Sequence, residues 1–118
     1  MRSLVALFTC SLFALSAQAQ RFDIVTKIGD VRYHEAANEL AVAWQGDVWF
    51  QIDSNGHAPS CQTYGGKYVL VIPSGNEVAI SMLLAAKMSG KNVNATFDDS
   101  LRFKGSSYCQ LQYLTLVE

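Results

Sequence analysis

Residues 67–97 read KYVLVIPSGNEVAISMLLAAKMSGKNVNATF, and the order of elements in this stretch sets the architecture. Its first part, residues 67–72, is a nearly continuous apolar run that ends at Pro73. A strand with one face in water alternates apolar and polar residues, and this run does not. The pattern therefore predicts a strand that is covered on both faces, with other residues packed on its second side.

The middle of the same stretch predicts the clearest helix in the chain. Residues 74–77 (Ser-Gly-Asn-Glu) fit a capping box, residues 78–88 are rich in helix formers, and Gly90 fits the left-handed position that ends a helix. The polar face of this helix is thin, with Ser81 and Lys87 as its main members. We therefore expect the helix to be buried on most sides.

Two strands are predicted after the helix. Residues 93–97 alternate apolar and polar side chains, which is typical of a half-buried strand. Residues 98–100 (Asp-Asp-Ser) are typical of a turn. The last strand is expected over residues 108–117, with a bulge near Tyr113 because the inward-facing set changes phase there.

The N-terminal half predicts strands as well. Residues 22–28 carry apolar side chains at period two, and Gly29-Asp30 offers either a turn or a bulge within one long bent strand that continues over residues 31–34.

A hairpin is predicted next, with strands at residues 40–44 and 48–52 joined by the three-residue loop 45–47. This register places Trp44 in the core and Trp49 on the surface.

This order of elements, with the helix between the third and fourth strands, predicts a mainly β fold with one helix. We expect an OB-fold-like, five-stranded Greek-key barrel whose helix closes one end. Residues 20–118 have the length of one domain and contain no repeats or linkers.

Residues 1–19 are expected to be a secretory signal peptide. Arg2 supplies the positive end, residues 4–15 form a short apolar run, and Ala17-Gln18-Ala19 is a small-x-small cleavage site. The mature protein would then begin at Gln20 and be secreted or periplasmic, with the cleavage style of a Gram-negative bacterium. Removing Arg2 changes the formal charge of −1 for the full chain to −2. That balance argues against a general nucleic-acid or anionic-membrane binder, since both need a basic surface.

Two of the three cysteines, Cys61 and Cys109, remain after cleavage. In an oxidising compartment an even pair is typical of a disulfide, which would close a loop of about 48 residues and stabilise the fold by roughly 3 to 4 kcal/mol. The alternatives are a metal pair and a catalytic thiol with a free neighbour. The chain offers little for either, since it has no CxxC spacing and only two histidines, His34 and His57.

The segment from Leu83 to Val93, followed by Cys109 in a closing strand, resembles the C-terminal half of the secreted OB-fold B subunits of the subtilase-cytotoxin and pertussis-like toxin group. In that group an apolar helix ending in a Gly-Lys step leads directly into the fourth strand, and a cysteine lies near the last strand. The resemblance covers roughly residues 68–116 and is a packing pattern, so it carries over no sugar-binding residue. It implies a glycan-recognising subunit that can assemble as a ring, up to a pentamer, and that would need a separately encoded catalytic subunit for a toxin role.

No enzymatic motif stands out in the chain. A Gly-rich phosphate loop, a nucleophile elbow and an HExxH motif are all missing from the sequence. His34 beside Glu35 is interpreted as a solvated strand end, because adjacent strand residues point to opposite faces. We therefore expect a protein that is not an enzyme, with no catalytic residues, no cofactor and no metal site.

The aromatic residues are the better candidates for a binding surface. Aromatic rings bind the apolar faces of sugars and anchor protein interfaces. The candidates for ligand or interface contact are Trp49, Tyr64, Tyr33 and Tyr108. Packing is the alternative interpretation for each, and it is the stronger one for Tyr33 and Tyr108.

Two functions are compatible with these patterns. The first is an exported, non-catalytic glycan-binding subunit, in which the strand at residues 67–72 and the apolar helix would contact neighbouring copies. The alternative is a periplasmic or secreted protein-interaction module of unknown partner, such as an inhibitor or an envelope factor.

Overall fold

The structure of this protein is a computed structural model that describes residues 20–118. The predicted signal peptide, residues 1–19, lies outside the described residues. Within residues 20–118 the chain forms seven strands, one α-helix and a short 3-10 turn at Val42–Trp44. The elements are β1 (Arg21–Thr26), β2 (Ile28–Tyr33), β3 (Val48–Ile52), β4 (Thr63–Tyr64), β5 (Lys67–Ile72), α1 (Glu77–Ser89), β6 (Val93–Arg102) and β7 (Cys109–Leu116).

All seven strands belong to one open sheet. Its order is β1-β6-β7-β5-β3-β2, and β4 pairs with β5 beside this path. The β5–β7 pair is parallel and the other pairs are antiparallel. The path begins at β1 and ends at β2, which are consecutive in the chain and separated by Lys27 alone. The prediction of a mainly β protein with one helix is confirmed.

Two bulges bend the sheet where the sequence predicts them. On β2, Ile28 pairs with Ile52 and Val31 with Phe50, so the bulge alternative at Gly29-Asp30 is confirmed. On β7, the partners of Thr96 and Phe97 are Tyr113 and Leu111, which leaves Gln112 as the extra residue. An extra residue moves the following side chains to the other face, which accounts for the change of phase near Tyr113.

The main core lies on the inner face of the sheet. β3 places Val48, Phe50 and Ile52 there, and α1 adds Leu83 and Ala86. The other buried members are Phe22, Ile24, Ile28, Cys61, Leu70, Ile72, Val93, Ala95, Phe97 and Cys109. Each large apolar side chain that is fully buried contributes roughly 1.5 to 3 kcal/mol, so this set supplies most of the driving force for folding.

A second, smaller core covers the outer face of β3 and β5. Trp49 on β3 packs with Val69 and Val71 on β5 and with Phe103, which follows β6. The predicted burial on both faces is therefore confirmed for residues 69–72, whereas Lys67 is exposed and Tyr68 half-buried. Residues 69–72 leave little surface for contact with a neighbouring copy.

The predicted hairpin over residues 40–52 is wrong. Residues 34–47 form a long loop, and β3 pairs with β2 and β5 instead. The expected surface position of Trp49 is also wrong, because only 6% of its surface is exposed. Trp44, expected in the main core, is half-buried against the second core. The two faces of β3 were predicted correctly, with Val48, Phe50 and Ile52 on the inner one. The outer face, which carries Trp49, is covered by other parts of the chain.

The helix α1 ends where predicted, at Gly90, whose left-handed φ of 66° favours glycine. The capping box is wrong: the Ser74 backbone N–H donates to the Asp47 carboxylate at 2.8 Å, and the helix begins after Asn76. The expected burial on most sides is wrong too, since Leu83 and Ala86 are the buried residues and Met88 is 88% exposed. The sheet covers one side of this helix, and within residues 20–118 no second layer covers the other.

The turn predicted at residues 98–100 is also wrong, because β6 continues to Arg102, which pairs with Cys109. The Asp98 carboxylate accepts hydrogen bonds from the backbone N–H and the hydroxyl of Ser100. This local bonding is what turns use. The register with β7 also shifts between Phe97 and Arg102, and pairing resumes at Arg102.

The predicted disulfide is confirmed. Cys61 and Cys109 are bonded, with their Cα atoms 5.5 Å apart, and join the loop before β4 to the start of β7. Among residues 20–118, no helix is long and apolar enough to cross a membrane.

Candidate binding face

Two groups of aromatic side chains lie on the outer face of β2, β3 and β5. The first group is built on Arg32, Trp49 and Tyr64, and we call it the binding face. The second is built on Trp44 and lies where the loop at residues 34–47 meets the loop at residues 103–108.

In the binding face the guanidinium of Arg32 lies against two aromatic rings. Its Cζ is 4.6 Å from the centroid of Trp49 and 5.1 Å from that of Tyr64, and the two rings are 5.3 Å apart at 50°. Each of these contacts is a cation–π interaction, worth roughly 0.5 to 2 kcal/mol depending on exposure. The stacking therefore restricts the position of Arg32, which stays exposed.

The backbone brings these three residues together from distant positions. Arg32 lies directly opposite Trp49 in the β2–β3 ladder, so both side chains stand on the same face. Tyr64 comes from the tight β4–β5 hairpin, in which Gly65 and Gly66 both have positive φ, at 60° and 81°. A two-residue turn with both residues left-handed matches the twist of the strands and favours glycine.

Gln51 fastens this hairpin to the sheet. Its side chain is buried, and its Nε2 donates to the carbonyl of Tyr64 at 2.7 Å, while its Oε1 accepts from the backbone N–H of Asp30 at 3.3 Å. The Gly65 position lies close to the same amide, since a Cβ there would be 3.4 Å from its Nε2. One buried amide thus connects the β2 bulge, β3 and the hairpin.

The binding face combines an aromatic surface with unused donors. Tyr64 is 45% exposed, and Trp49 forms the covered floor beneath Arg32. A guanidinium has five N–H donors, and within residues 20–118 one hydrogen bond is made, from Nη2 of Arg32 to the Tyr64 hydroxyl at 3.4 Å. The remaining donors can bind hydroxyl or acidic oxygens of a ligand whose apolar face lies on the tyrosine ring.

The second group is packed more tightly. The Trp44 ring lies 4.7 Å from Phe103, 5.6 Å from Tyr108 and 5.2 Å from His34. Tyr108 is half-buried here, as the packing interpretation expected. His34 is half-buried as well, with its Nδ1 2.9 Å from the carbonyl oxygen of Asp47, so its interpretation as a solvated strand end is wrong.

Asp47 joins the two loops that border the face. Its side chain is fully buried, accepts from the Ser74 N–H, and lies 3.5 Å from Nζ of Lys104 in the loop at residues 103–108. A buried carboxylate needs such partners, because an uncompensated charge away from water is costly. The sequence had placed this residue in a simple hairpin turn.

The structure brings two of the four predicted aromatic candidates together. Trp49 and Tyr64 are in the binding face, Tyr108 lies in the neighbouring group, and Tyr33 is exposed at the end of β2, on the face opposite to Arg32. The sequence interpretation missed Arg32. Alternation along β2 could have indicated that Arg32 faces outward. It does not show that the rings of Trp49 and Tyr64 lie beside it.

A separate charged cluster lies where β1 pairs with β6. The Asp23 carboxylate accepts hydrogen bonds from Arg21 at 3.0 Å and from the Thr96 hydroxyl at 2.6 Å. Hydrogen bonding to Arg21 first, and then to Thr96, lowers the pKa of Asp23, and the same bond raises the pKa of Arg21. On β6 the hydrogen bonds from Ser100 lower the pKa of Asp98.

A search of residues 20–118 finds no group of three or more His, Cys, Asp or Glu side chains arranged to hold a metal ion. The chain matches no protein-family model, and no curated protein and no solved structure is significantly similar to it. The functional inference therefore depends on the fold and on the geometry of the face.

Proposed function

We propose that the sheet is an OB-type Greek-key barrel in which β1 and β2 are the two halves of one bent strand. Three observations support this: the strand order, the parallel β5–β7 pair, and the position of α1 between β5 and β6. With β1 and β2 counted as one strand, the hydrogen-bonded path starts and ends on the same strand. β4 is then a short addition to the edge of β5.

The proposed function is an exported, non-catalytic domain that binds carbohydrate on its outer face. The observation that carries it is the Arg32, Trp49 and Tyr64 cluster, whose members lie on β2, β3 and β4. OB-folds bind oligosaccharides and oligonucleotides at the corresponding face and loops. The net negative charge of the chain favours the sugar over the polyanion.

Both parts of the cluster suit a sugar. A pyranose ring has an apolar face that packs on an aromatic ring, and its hydroxyl or acidic groups are acceptors for arginine donors. Because Arg32 and Tyr64 are already held by Trp49 and Gln51, binding requires little ordering of the site.

A glycan array probed with the mature, disulfide-intact protein tests this function. For the sugar that binds best, we expect Arg32→Ala and Tyr64→Ala each to raise Kd about tenfold, equivalent to about 1.4 kcal/mol. Tyr33→Ala is the matched control, since this exposed tyrosine lies outside the cluster, and it should leave Kd unchanged. If neither Arg32→Ala nor Tyr64→Ala weakens binding, the sugar site lies elsewhere. If the protein binds no glycan, the protein-interaction module becomes the better account.

The wider proposal is a toxin-like subunit that forms a ring of identical copies and accompanies a separately encoded catalytic chain. Sugar sites with low affinity gain strength when several are presented on one assembly. Light scattering of the mature protein gives the number of copies. Mass spectrometry of the full-length chain after export tests separately whether cleavage occurs before Gln20.

A further inference from the structure

The loop that follows β3 turns at Asn55-Gly56. The backbone φ angles of these two residues are both positive, at 46° and 83°, and the His57 N–H donates to the carbonyl of Ser54 at 2.9 Å. Two left-handed residues closed by such a bond form a type I′ turn, for which asparagine followed by glycine is a favoured pair. Both residues are exposed to water.

The pair that suits this turn is also open to an internal reaction. The backbone nitrogen of the residue after an asparagine can attack the side-chain carbonyl carbon, Cγ, and a glycine hinders this approach least because it has no Cβ. The chain has five asparagines, and Asn55 is the only one followed by glycine. The other four precede Glu39, Glu77, Val93 and Ala95. Asn55 therefore presents the lowest steric barrier to the reaction.

The fold leaves the attacking nitrogen free. Within residues 20–118 the Gly56 N–H donates no hydrogen bond, and a Cβ at this position would meet no atom within 4 Å. Asn94 shows the opposite case, since the next residue, Ala95, is paired with Ile24 on β1 and with Leu114 on β7. A ladder holds the backbone in one conformation and uses its N–H groups, so it opposes the attack. The exposed turn gives Asn55 no such protection.

The same side-chain amide helps to fasten the loop to the end of β1. Nδ2 of Asn55 donates to the carbonyl of Val25, and the Asp53 N–H donates to the Thr26 hydroxyl at 2.9 Å. A single exposed hydrogen bond adds little net stability, so the amide leaves the Val25 carbonyl often enough to react. Asn55 thus carries both the reactive group and one of the hydrogen bonds that hold the loop.

We propose that Asn55 is a site of spontaneous deamidation, and that the reaction frees the loop at residues 53–57 from β1. The Gly56 nitrogen forms a bond to Cγ of Asn55, the bond from Cγ to Nδ2 breaks, and Nδ2 leaves as ammonia with the proton of the Gly56 amide. Water then opens the cyclic imide at one of its two carbonyl carbons. The product is aspartate, or isoaspartate in which the backbone runs through Cγ.

Both products lose the hydrogen bond to Val25. An ionised carboxylate has no N–H to donate, so it cannot bond to a carbonyl oxygen. Its charge also appears two residues from Asp53, whose carboxylate is 3.1 Å from Nζ of Lys67. Isoaspartate adds one carbon to the backbone of the turn as well. These changes all favour release of the loop, and none of them depends on the proposed sugar binding.

Peptide mapping by mass spectrometry tests the reaction, after the mature, disulfide-intact protein has been incubated at mildly alkaline pH. We expect Asn55 to be converted at least about tenfold faster than any other asparagine, which corresponds to a barrier lower by about 1.4 kcal/mol. A protein isoaspartyl methyltransferase should label the same site. Asn92 is the matched control, because it is also exposed but precedes a valine. Conversion at Asn55 no faster than at Asn92 would overturn the proposal.

Hydrogen exchange of Asn55→Asp tests the release of the loop. The N–H groups of Asp53 and His57, which both donate hydrogen bonds at 2.9 Å, are the reporters. We expect both to exchange at least about tenfold faster than in the wild type, because the loop opens more often. Asn92→Asp is the control, since it adds the same charge away from this loop and should leave both rates unchanged. Exchange in Asn55→Asp that matches the wild type would show that the loop stays attached, and would overturn this part of the proposal.

Discussion

Trp49 connects the binding face to the stability of the sheet. Its ring is almost wholly covered, by Val69, Val71 and Phe103 on one side and by Arg32 on the other. A residue that sequence alternation alone places in water is therefore part of a core. We expect its contribution to the proposed carbohydrate binding to be indirect, because it contacts Arg32 from below.

Trp49→Ala is expected to lower the free energy of unfolding by about 3 to 5 kcal/mol, because it removes a large buried side chain and leaves a cavity. Urea denaturation of the disulfide-intact protein measures this loss. Tyr64→Ala is the comparison, since its ring is half-exposed and its loss should cost roughly 1 kcal/mol. Equal unfolding midpoints for Trp49→Ala and the wild type would show that the second core does not stabilise the fold.

At the scale of the element, the β1–β6 pair carries a pH-dependent contribution. Asp23 on β1 accepts from Arg21 on the same strand and from Thr96 on β6, and both bonds favour the ionised carboxylate. Because its pKa is lower in the folded than in the unfolded protein, its stabilising contribution is present above the unfolded value of about 3.9 and is lost as pH falls through the folded value.

Asp23→Asn is therefore expected to lower the melting temperature slightly near neutral pH and to flatten its decrease on acidification. The effect is small because the carboxylate is in contact with water. Melting temperature measured against pH shows this, with Glu39→Gln, which removes a charge from the loop at residues 34–47, as the control. A variant whose pH profile runs parallel to that of the wild type would contradict this role of Asp23.

At the scale of the whole molecule, the disulfide joins two regions that the sheet connects only weakly. β5 and β7 share a short parallel ladder, in which Leu70 pairs with Cys109 and Val71 pairs with Gln110. The disulfide from Cys61 to Cys109 holds the loop before β4 against this ladder. The two cysteines are 48 residues apart, so the bond restricts a large part of the unfolded chain.

Replacing both Cys61 and Cys109 by alanine is expected to reduce stability by about 3 to 4 kcal/mol and to lower the melting temperature. The wild type should show the same decrease in melting temperature when it is melted in reductant. The melting temperature of the double variant should not change when reductant is added. A wild type that melts at one temperature with and without reductant would show that the bond does not contribute to stability in solution.

Local features of this protein could be predicted from neighbouring residues in the sequence. The nearly continuous apolar run at residues 67–72 predicted a strand covered on both faces, and Gly90 predicted the end of α1. Gly29-Asp30 and the phase change near Tyr113 predicted the two bulges. Each of these depends on the conformational preference or the pattern of neighbouring residues, which is why the sequence alone was enough.

Which surfaces are covered depends on contacts that form only in the folded protein. Residues 40–44 alternate as a strand would, yet Trp44 packs on Phe103, and the segment becomes a loop that exposes Leu40. The sequence predicted Tyr64 and Trp49 as contact residues, but it placed Trp49 on the surface although the residue is buried, and it missed Arg32. These outcomes depend on contacts between residues that are far apart in the chain, and alternation along one strand shows which face a side chain takes but not what lies against that face.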